Sequence, residues 1–258
     1  MSGEILKVRN MEKTFGGLRA IDNLSFAVAG GMIQSIIGPN GAGKTTLFNL
    51  ITGIFPPSGG IFEFDGRTLN GLRPHVIARL GISRTFQNVE LFGNMTVLEN
   101  VMLGRHSRTS AGIFSAGFRL PGMQQEEKGI KEAALEELRF MGLESKANLN
   151  AVSLPLGEQK LLEVARALAL QPRLLLLDEP AAGLNMRETG KLSETILRIR
   201  DRGITVMLVE HDMSLVMEIS DGVLVLNYGK MIAEGPPRKI QRNPEVIAAY
   251  LGEEAEDA

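Results

Sequence analysis

The sequence predicts an α/β fold: a mixed or parallel sheet flanked by helices, with an N-terminal antiparallel β subdomain and a small helical subdomain. Three observations predict it. Residues 32–37 (MIQSII), 174–177 (LLLL) and 204–209 (ITVMLV) are compact apolar runs, the mark of buried strands. Helical patterns follow, as at 44–51, where Leu47, Leu50 and Ile51 share a face, and at 187–202. Residues 5–28 and 60–69 read instead as short strands joined by turns at Phe15-Gly16-Gly17 and Asp65-Gly66.

The remaining elements follow in order. Gly53 and Pro56-Pro57 close the helix begun at Lys44. Residues 104–122 are rich in Gly, Ser and Arg and have no clear period, so they read as a loop or irregular insertion. From 126 to 141 the pattern is helical, with Ile130, Ala134, Leu138 and Met141 on one face. Another helix is expected over 159–170, ended by Pro172, and a further one over 213–219. Short strands at 223–226 and 231–233 flank a Tyr228-Gly229 turn. Asn243-Pro244 reads as a helix cap with proline at the first helical position. The final GEEAEDA is expected to fray. Together these predict a single nucleotide-binding unit over 1–258. Its core is 1–87 plus 160–240, its helical lobe is 88–158 with an insertion at 104–125, and its tail is 241–258.

Composition removes several function classes. Hydrophobic residues make up 44 % and charged residues 22 %, enough for a sizeable core. A net charge of −2 carries no basic excess for binding nucleic acid. The chain has no cysteine, so disulfides, thiolate metal sites and cysteine nucleophiles are excluded. The N-terminus shows no basic stretch leading into an apolar one, and no apolar run approaches membrane-helix length. Any membrane span is therefore expected from another chain.

Residues 38–45 read Gly-Pro-Asn-Gly-Ala-Gly-Lys-Thr, matching GxxxxGK[ST] between a strand and a helix. Glycines let the backbone curl so that its N–H groups face phosphate oxygens, and the helix start adds its positive end. This makes the core a P-loop NTPase core with ATP and Mg²⁺ as expected ligands. Asn40, Gly41, Ala42, Gly43, Lys44, Thr45 and Thr46 are the expected nucleotide contacts. Lys44 is placed to reach the β- and γ-phosphates, and the Thr45 hydroxyl to ligate Mg²⁺.

The run at 174–177 ends in Asp178-Glu179. Such a strand is expected beside the phosphate-loop strand, and ligands bind at the carboxyl ends of strands. Asp178 is then the expected Mg²⁺ ligand, direct or through water. Glu179, one step further out, is the expected base that polarises the attacking water.

With these motifs, the chain resembles the ATP-binding cassette family over nearly its whole length. The resemblance implies a role for Gln87, in Arg84-Thr85-Phe86-Gln87-Asn88, in linking the two lobes and sensing the γ-phosphate and metal. It implies that His211, in Val209-Glu210-His211-Asp212, contacts the γ-phosphate and helps orient water. Phe15 fits the aromatic that stacks on adenine, although it could equally be a core residue. Such a stack selects weakly among bases, so other purine triphosphates are expected to be accepted. Leu154, Pro155, Leu156, Gly157 and Glu158 match the loop that completes the partner cassette's nucleotide site. Here the chain departs from the family, with Pro155 at the usual serine and Leu156 at a usual glycine. Proline has neither hydroxyl nor N–H, so backbone groups at Gly157 and the following helix are expected to carry the contact. Asn185, after Ala181-Ala182-Gly183-Leu184, stands where aspartate is usual.

The resemblance implies a second cassette, identical or paralogous, with two ATP molecules sandwiched between the pair. It also implies two membrane permease subunits docked around residues 88–102, an indirect link to a substrate-binding protein, and a peripheral place on the cytoplasmic side of the cell membrane. The 181–185 loop, the insertion and residues 246–252 resemble cassettes of branched-chain amino-acid uptake. Lipopolysaccharide exporters and urea or amide importers stand as alternatives, as does a catalytically weak regulatory cassette. DNA-repair and ribosomal cassette ATPases are not favoured: the chain has no long coiled coil and only one phosphate loop.

Overall fold

The structure, a computed structural model, describes residues 3–87, 89–106 and 121–256. β1 (Glu4–Phe15) and β2 (Leu18–Ala29) pair antiparallel, and β4 (Gly59–Phe64) and β5 (Arg67–Thr68) extend them into a sheet ordered β2-β1-β4-β5. The strands over 5–28 are not short: each of the two runs for 12 residues. Asn10 and Asn23 take the left-handed conformation, at φ 46° and 49°, where the ladder changes register. The Asn10 Nδ2 donates to Asn23 Oδ1 at 2.9 Å. These irregularities are absorbed as bulges, so each strand continues through them.

The second sheet is ordered β10-β9-β3-β8-β7-β6. Its strands are β3 (Ile33–Ile37), β6 (Ile82–Arg84), β7 (Leu174–Asp178), β8 (Thr205–Val209), β9 (Gly222–Asn227) and β10 (Lys230–Gly235). All neighbours pair parallel except β9 and β10, so the sheet is mixed, as expected. One expectation fails: β7 does not lie beside β3, because β8 is inserted between them and pairs with both. The carboxyl ends still align, with Asp178 opposite Val209 and Ile36 opposite the same residue.

The all-leucine strand is explained by two apolar layers. Leu175 and Leu177 join a core with the helices, whereas Leu174 and Leu176 join the core beneath the antiparallel sheet. Each buried leucine side chain contributes about 1.5–3 kcal/mol relative to exposure. The first layer includes α3 (Val97–His106), α4 (Pro121–Met141) and α5 (Leu156–Leu168), which pack on one another. The expected insertion at 104–125 falls largely outside the described residues. Its described ends are helical, not irregular, since α3 runs through residue 106 and α4 begins at residue 121.

The helix of the phosphate loop, α1 (Lys44–Ile51), has the expected bounds. α2 (Pro74–Leu80), which periodicity did not pick out, starts on its proline and ends at Gly81, φ 108°. α6 (Met186–Asp201) is started by Asn185, whose side chain accepts from Arg187 and Glu188 N–H groups while Glu188 caps in return. Asparagine supplies the capping oxygen as aspartate would. α7 (Met213–Ile219) is capped by Asp212. α8 (Pro237–Ile240) precedes α9 (Pro244–Glu256), which continues past Gly252, where fraying was expected.

Candidate functional site

The phosphate loop leaves β3 at Ile37 and enters α1 at Lys44. Two glycines in it are sterically compelled. A Cβ on Gly38, φ 149°, would lie 2.0 Å from the Leu226 carbonyl oxygen, and one on Gly43, φ 103°, 2.6 Å from that of Ala20. The loop is pressed between β2 and the β9–β10 turn. Gly229 N–H donates to Ala42 O at 3.0 Å, and its own carbonyl accepts from Asp22 N–H at 2.9 Å. Lys44 is buried, and its ammonium donates to the carbonyls of Gly38 and Pro39, which holds it over the loop.

One cleft of about 500 Å³ is lined by Asn40, Gly41, Ala42, Gly43, Lys44, Thr45 and Thr46 together with Phe15, Glu179 and Tyr228. Phe15 is half-exposed rather than core. It meets Phe55 edge-on at 5.2 Å, and Lys13 Nζ lies 4.7 Å from its ring centre. The phosphate-loop residues, Phe15 and Glu179 thus share one cavity. Tyr228, exposed on the clamping turn at φ 44°, is an additional lining residue. The sequence marked it only as a turn.

Glu179 follows β7 in a left-handed conformation, φ 47°, uncommon for a residue with a Cβ. Its N–H donates to Val209 O at 2.9 Å. Its carboxylate is met from two sides. Gln87 Nε2 donates to Oε2 at 2.7 Å, and His211 Nδ1 lies 3.6 Å from Oε1. Gln87, Glu179 and His211, far apart in sequence, therefore converge.

Asp178 is buried, and its Oδ2 accepts from Arg84 Nη2 at 2.7 Å. Arg84 Nη1 in turn donates to Asn49 Oδ1 at 2.7 Å, and its guanidinium packs between the rings of Phe48 and Phe86. No local pattern signals this pairing, because Arg84 and Asp178 lie on neighbouring strands that only the fold brings together. Asp178 Oδ1 is buried without a hydrogen-bond partner among the described residues. Glu210, also buried, accepts from Ala181 N–H at 2.7 Å and His211 N–H at 3.1 Å, so it ties the loop after β7 to the loop after β8. Burial pushes its carboxyl above the ordinary range, against those backbone donors, which lower it.

Leu154, Pro155, Leu156, Gly157 and Glu158 lie outside this cleft. Leu154 is buried in the helical core. Leu156, Gly157 and Glu158 are not a loop but the first turn of α5, with Pro155 at its N-cap position. Pro155 lines a separate 400 Å³ cleft with Gly157, Glu158, Asn185, Arg187 and Lys191. A Cβ at 157 would meet Glu188 Oε1 at 2.8 Å, so a larger residue there would displace that side chain. Glu158 is ion-paired to Lys146.

A glycine loop between a parallel strand and a helix, with the carboxylate of a nearby strand end in the same cleft, defines a nucleotide-binding P-loop domain. Comparison with known proteins narrows this class. The family model "ABC transporter" matches residues 21–182, and the model "Branched-chain amino acid ATP-binding cassette transporter" matches residues 230–256. The chain is 45 % identical to the high-affinity branched-chain amino acid transport ATP-binding protein BraF of Pseudomonas aeruginosa, over 98 % of this chain and 100 % of that one. It is 44 % identical to LivG of Escherichia coli K12, with the same coverage. A solved nucleotide-free ATP-binding cassette from an ABC transporter superposes with TM-score 0.85 at 32 % identity, covering 96 % of this chain and 99 % of that one. A dimeric cassette in a post-hydrolysis state bound to ADP and phosphate superposes with TM-score 0.77 at 27 % identity, covering 90 % and 99 %. The chain belongs to the ABC transporter family and is an ATP-binding cassette ATPase. No helix among the described residues is long and apolar enough to cross a membrane.

Proposed function

We propose that the chain is the ATP-hydrolysing subunit of a transporter that imports branched-chain amino acids, working as one of two cassettes. The observation that carries the hydrolytic part is the meeting of Gln87, Glu179 and His211 at the rim of the phosphate-loop cleft. The transported substrate is carried by near-full-length similarity to BraF and LivG. That similarity favours amino-acid import over lipopolysaccharide export or urea and amide uptake.

The residues divide the work. The loop N–H groups and Lys44 hold the phosphates, and Phe15 offers a face to the base. Glu179 orients a water and accepts its proton, with Gln87 and His211 fixing the carboxylate between them. His211 faces the γ-phosphate side. These complete parts argue against a catalytically weak regulatory cassette.

The site also fits Mg²⁺. Asp178 Oδ1 is a buried acceptor without a protein donor, the Thr45 side chain is exposed at the same loop, and Gln87 Nε2 is committed to Glu179, which leaves its amide oxygen as a donor. No cluster of three or more His, Cys, Asp or Glu among the described residues holds a metal, so a cation here needs such mixed oxygen donors, which a hard ion accepts. When bound, the ion supplies charge neutralisation at the phosphates.

The separate cleft at Pro155, Gly157 and Glu158 is read as the face presented to the partner cassette's ATP, with N–H groups of the first turn of α5 as donors. ATP then bridges the two cassettes, and its hydrolysis lets them part, a two-state element biased by ligand. Two permease subunits, reached through the region of residues 88–102 on the cytoplasmic side of the membrane, take up that motion, and a substrate-binding protein delivers the amino acid to them. The test is reconstitution of this chain with its neighbouring-encoded permeases in vesicles. Leucine uptake that requires ATP and is lost with Glu179→Gln supports the reading. ATP turnover without uptake of any branched-chain amino acid contradicts it.

A further inference from the structure

Lys160 is 6 % exposed, in the second turn of α5. A buried ammonium is costly, and burial draws this one below the ordinary lysine range. Packing alone gives no reason for a cation where methionine would fill similar space. Its surroundings do. The carboxylates of Glu163, Glu210 and Glu179 all act on it, and its Nζ donates to the main-chain carbonyl of Glu179 at 3.2 Å.

That carbonyl belongs to a residue held in a left-handed conformation. The Glu179 N–H is held by Val209 O, and its carbonyl by Lys160, so the peptide units on either side are both anchored. Where the carboxylate points depends on that backbone. The same helix also holds the other arm of the site. Glu163 Oε1 accepts from Glu90 N–H at 2.9 Å, and Arg166 donates to Glu90 O, three residues beyond Gln87. Thus α5, whose first turn is read as facing the partner's nucleotide, grips both segments that meet at the Gln87–Glu179 hydrogen bond.

We infer that Lys160 is a positioning residue that fixes the backbone of Glu179 and ties its aim to the placement of α5. The inference rests on the reading of Glu179 as the base. Its consequence is that a shift of α5 on engaging the partner's ATP reaches the chain's own base through one hydrogen bond.

The test compares Lys160→Met and Lys160→Gln with wild type. ATP turnover, affinity for a fluorescent ATP analogue and melting temperature are measured on the full chain. Two variants are used so that one folded protein is available. The expected result is a fall in kcat of about 10- to 100-fold, the scale of a small misplacement of a catalytic group, with nucleotide affinity unchanged. In the Glu179→Gln background the same substitution changes the residual rate by less than about twofold, because the two residues act as a unit. A folded Lys160 variant that turns over at the wild-type rate overturns the inference. So does an equal loss in both backgrounds, which a merely structural role produces. An unaltered rate in Glu179→Gln alone overturns the assignment of the base and this inference with it, whereas an unaltered rate in the Lys160 variants alone overturns only this one.

Discussion

The Nε2 of Gln87 donates to the Oε2 of Glu179 at 2.7 Å, joining the segment after β6 to the residue that ends β7. Gln87 thereby holds one carboxylate oxygen while His211 stands near the other. Removing that hold leaves the carboxylate free to rotate. Gln87→Ala is expected to lower kcat by at least roughly tenfold, since the hold on the carboxylate is lost together with one oxygen proposed for Mg²⁺. Steady-state turnover set against equilibrium binding checks this. A loss confined to affinity contradicts it.

Lys44 gives the opposite signature. Its ammonium is held over the phosphate loop by two main-chain carbonyls, so a phosphate meets a placed cation. A charge-assisted hydrogen bond contributes about 1.5–3 kcal/mol, so Lys44→Ala should weaken ATP binding by roughly 10- to 100-fold. Titration with a fluorescent ATP analogue measures it, and wild-type affinity in the variant would rule out the assigned role.

Arg84 and Asp178 form a buried ion pair with side-chain exposures of 5 % and 2 %. Taking away the cation strands a carboxylate in the core. Arg84→Met is expected to destabilise the fold by about 3–5 kcal/mol. Arg84→Lys should not restore wild-type stability, because one ammonium cannot span both Asn49 and Asp178 as the guanidinium fork does. Denaturant unfolding reads both, and an Arg84→Met midpoint equal to wild type refutes the prediction.

Glu210 and Glu163 set a pH dependence. Burial raises both carboxyls above their ordinary value, so between that value and the raised one the folded state binds more protons than the unfolded. Stability from these groups is full below the ordinary value and is lost as pH rises through the raised one. Glu210→Gln cannot titrate, so its stability should fall less steeply over that window. Asp22 and Asp65, lowered by hydrogen bonds from Arg19 and Arg173, act in the opposite sense in both proteins and cancel in the difference. Unfolding curves across the acidic range decide it. Identical slopes contradict the prediction.

The parts legible in sequence were those fixed by local chemistry. The phosphate loop needs glycines at set steps, and the strand before Asp178 needs apolar side chains toward both layers. What was illegible depends on pairing across the fold. Nothing local says that β8 inserts between β3 and β7, or that Arg84 on β6 reaches Asp178 on β7. The full length of β1 and β2 is illegible too, because the hydrogen bond between Asn10 and Asn23 exists only once the strands are paired. Lys160 lies within the expected helix 159–170, but two of its partners, Glu179 and Glu210, come from the ends of other strands. The first turn of α5 is hidden in the sequence, because proline and glycine there mask a helix start that Pro155 supports at its N-cap.

The central claim, that ATP joins two cassettes and Glu179 ends that state by hydrolysis, is tested most directly in one experiment. Turnover and light-scattering mass are measured on wild type and Glu179→Gln, with and without ATP and Mg²⁺. The account predicts that Glu179→Gln is at least about 100-fold slower, as loss of a general base implies, and runs as a dimer only when ATP is present. A variant that hydrolyses ATP at the wild-type rate and shows no ATP-dependent change in mass would contradict it.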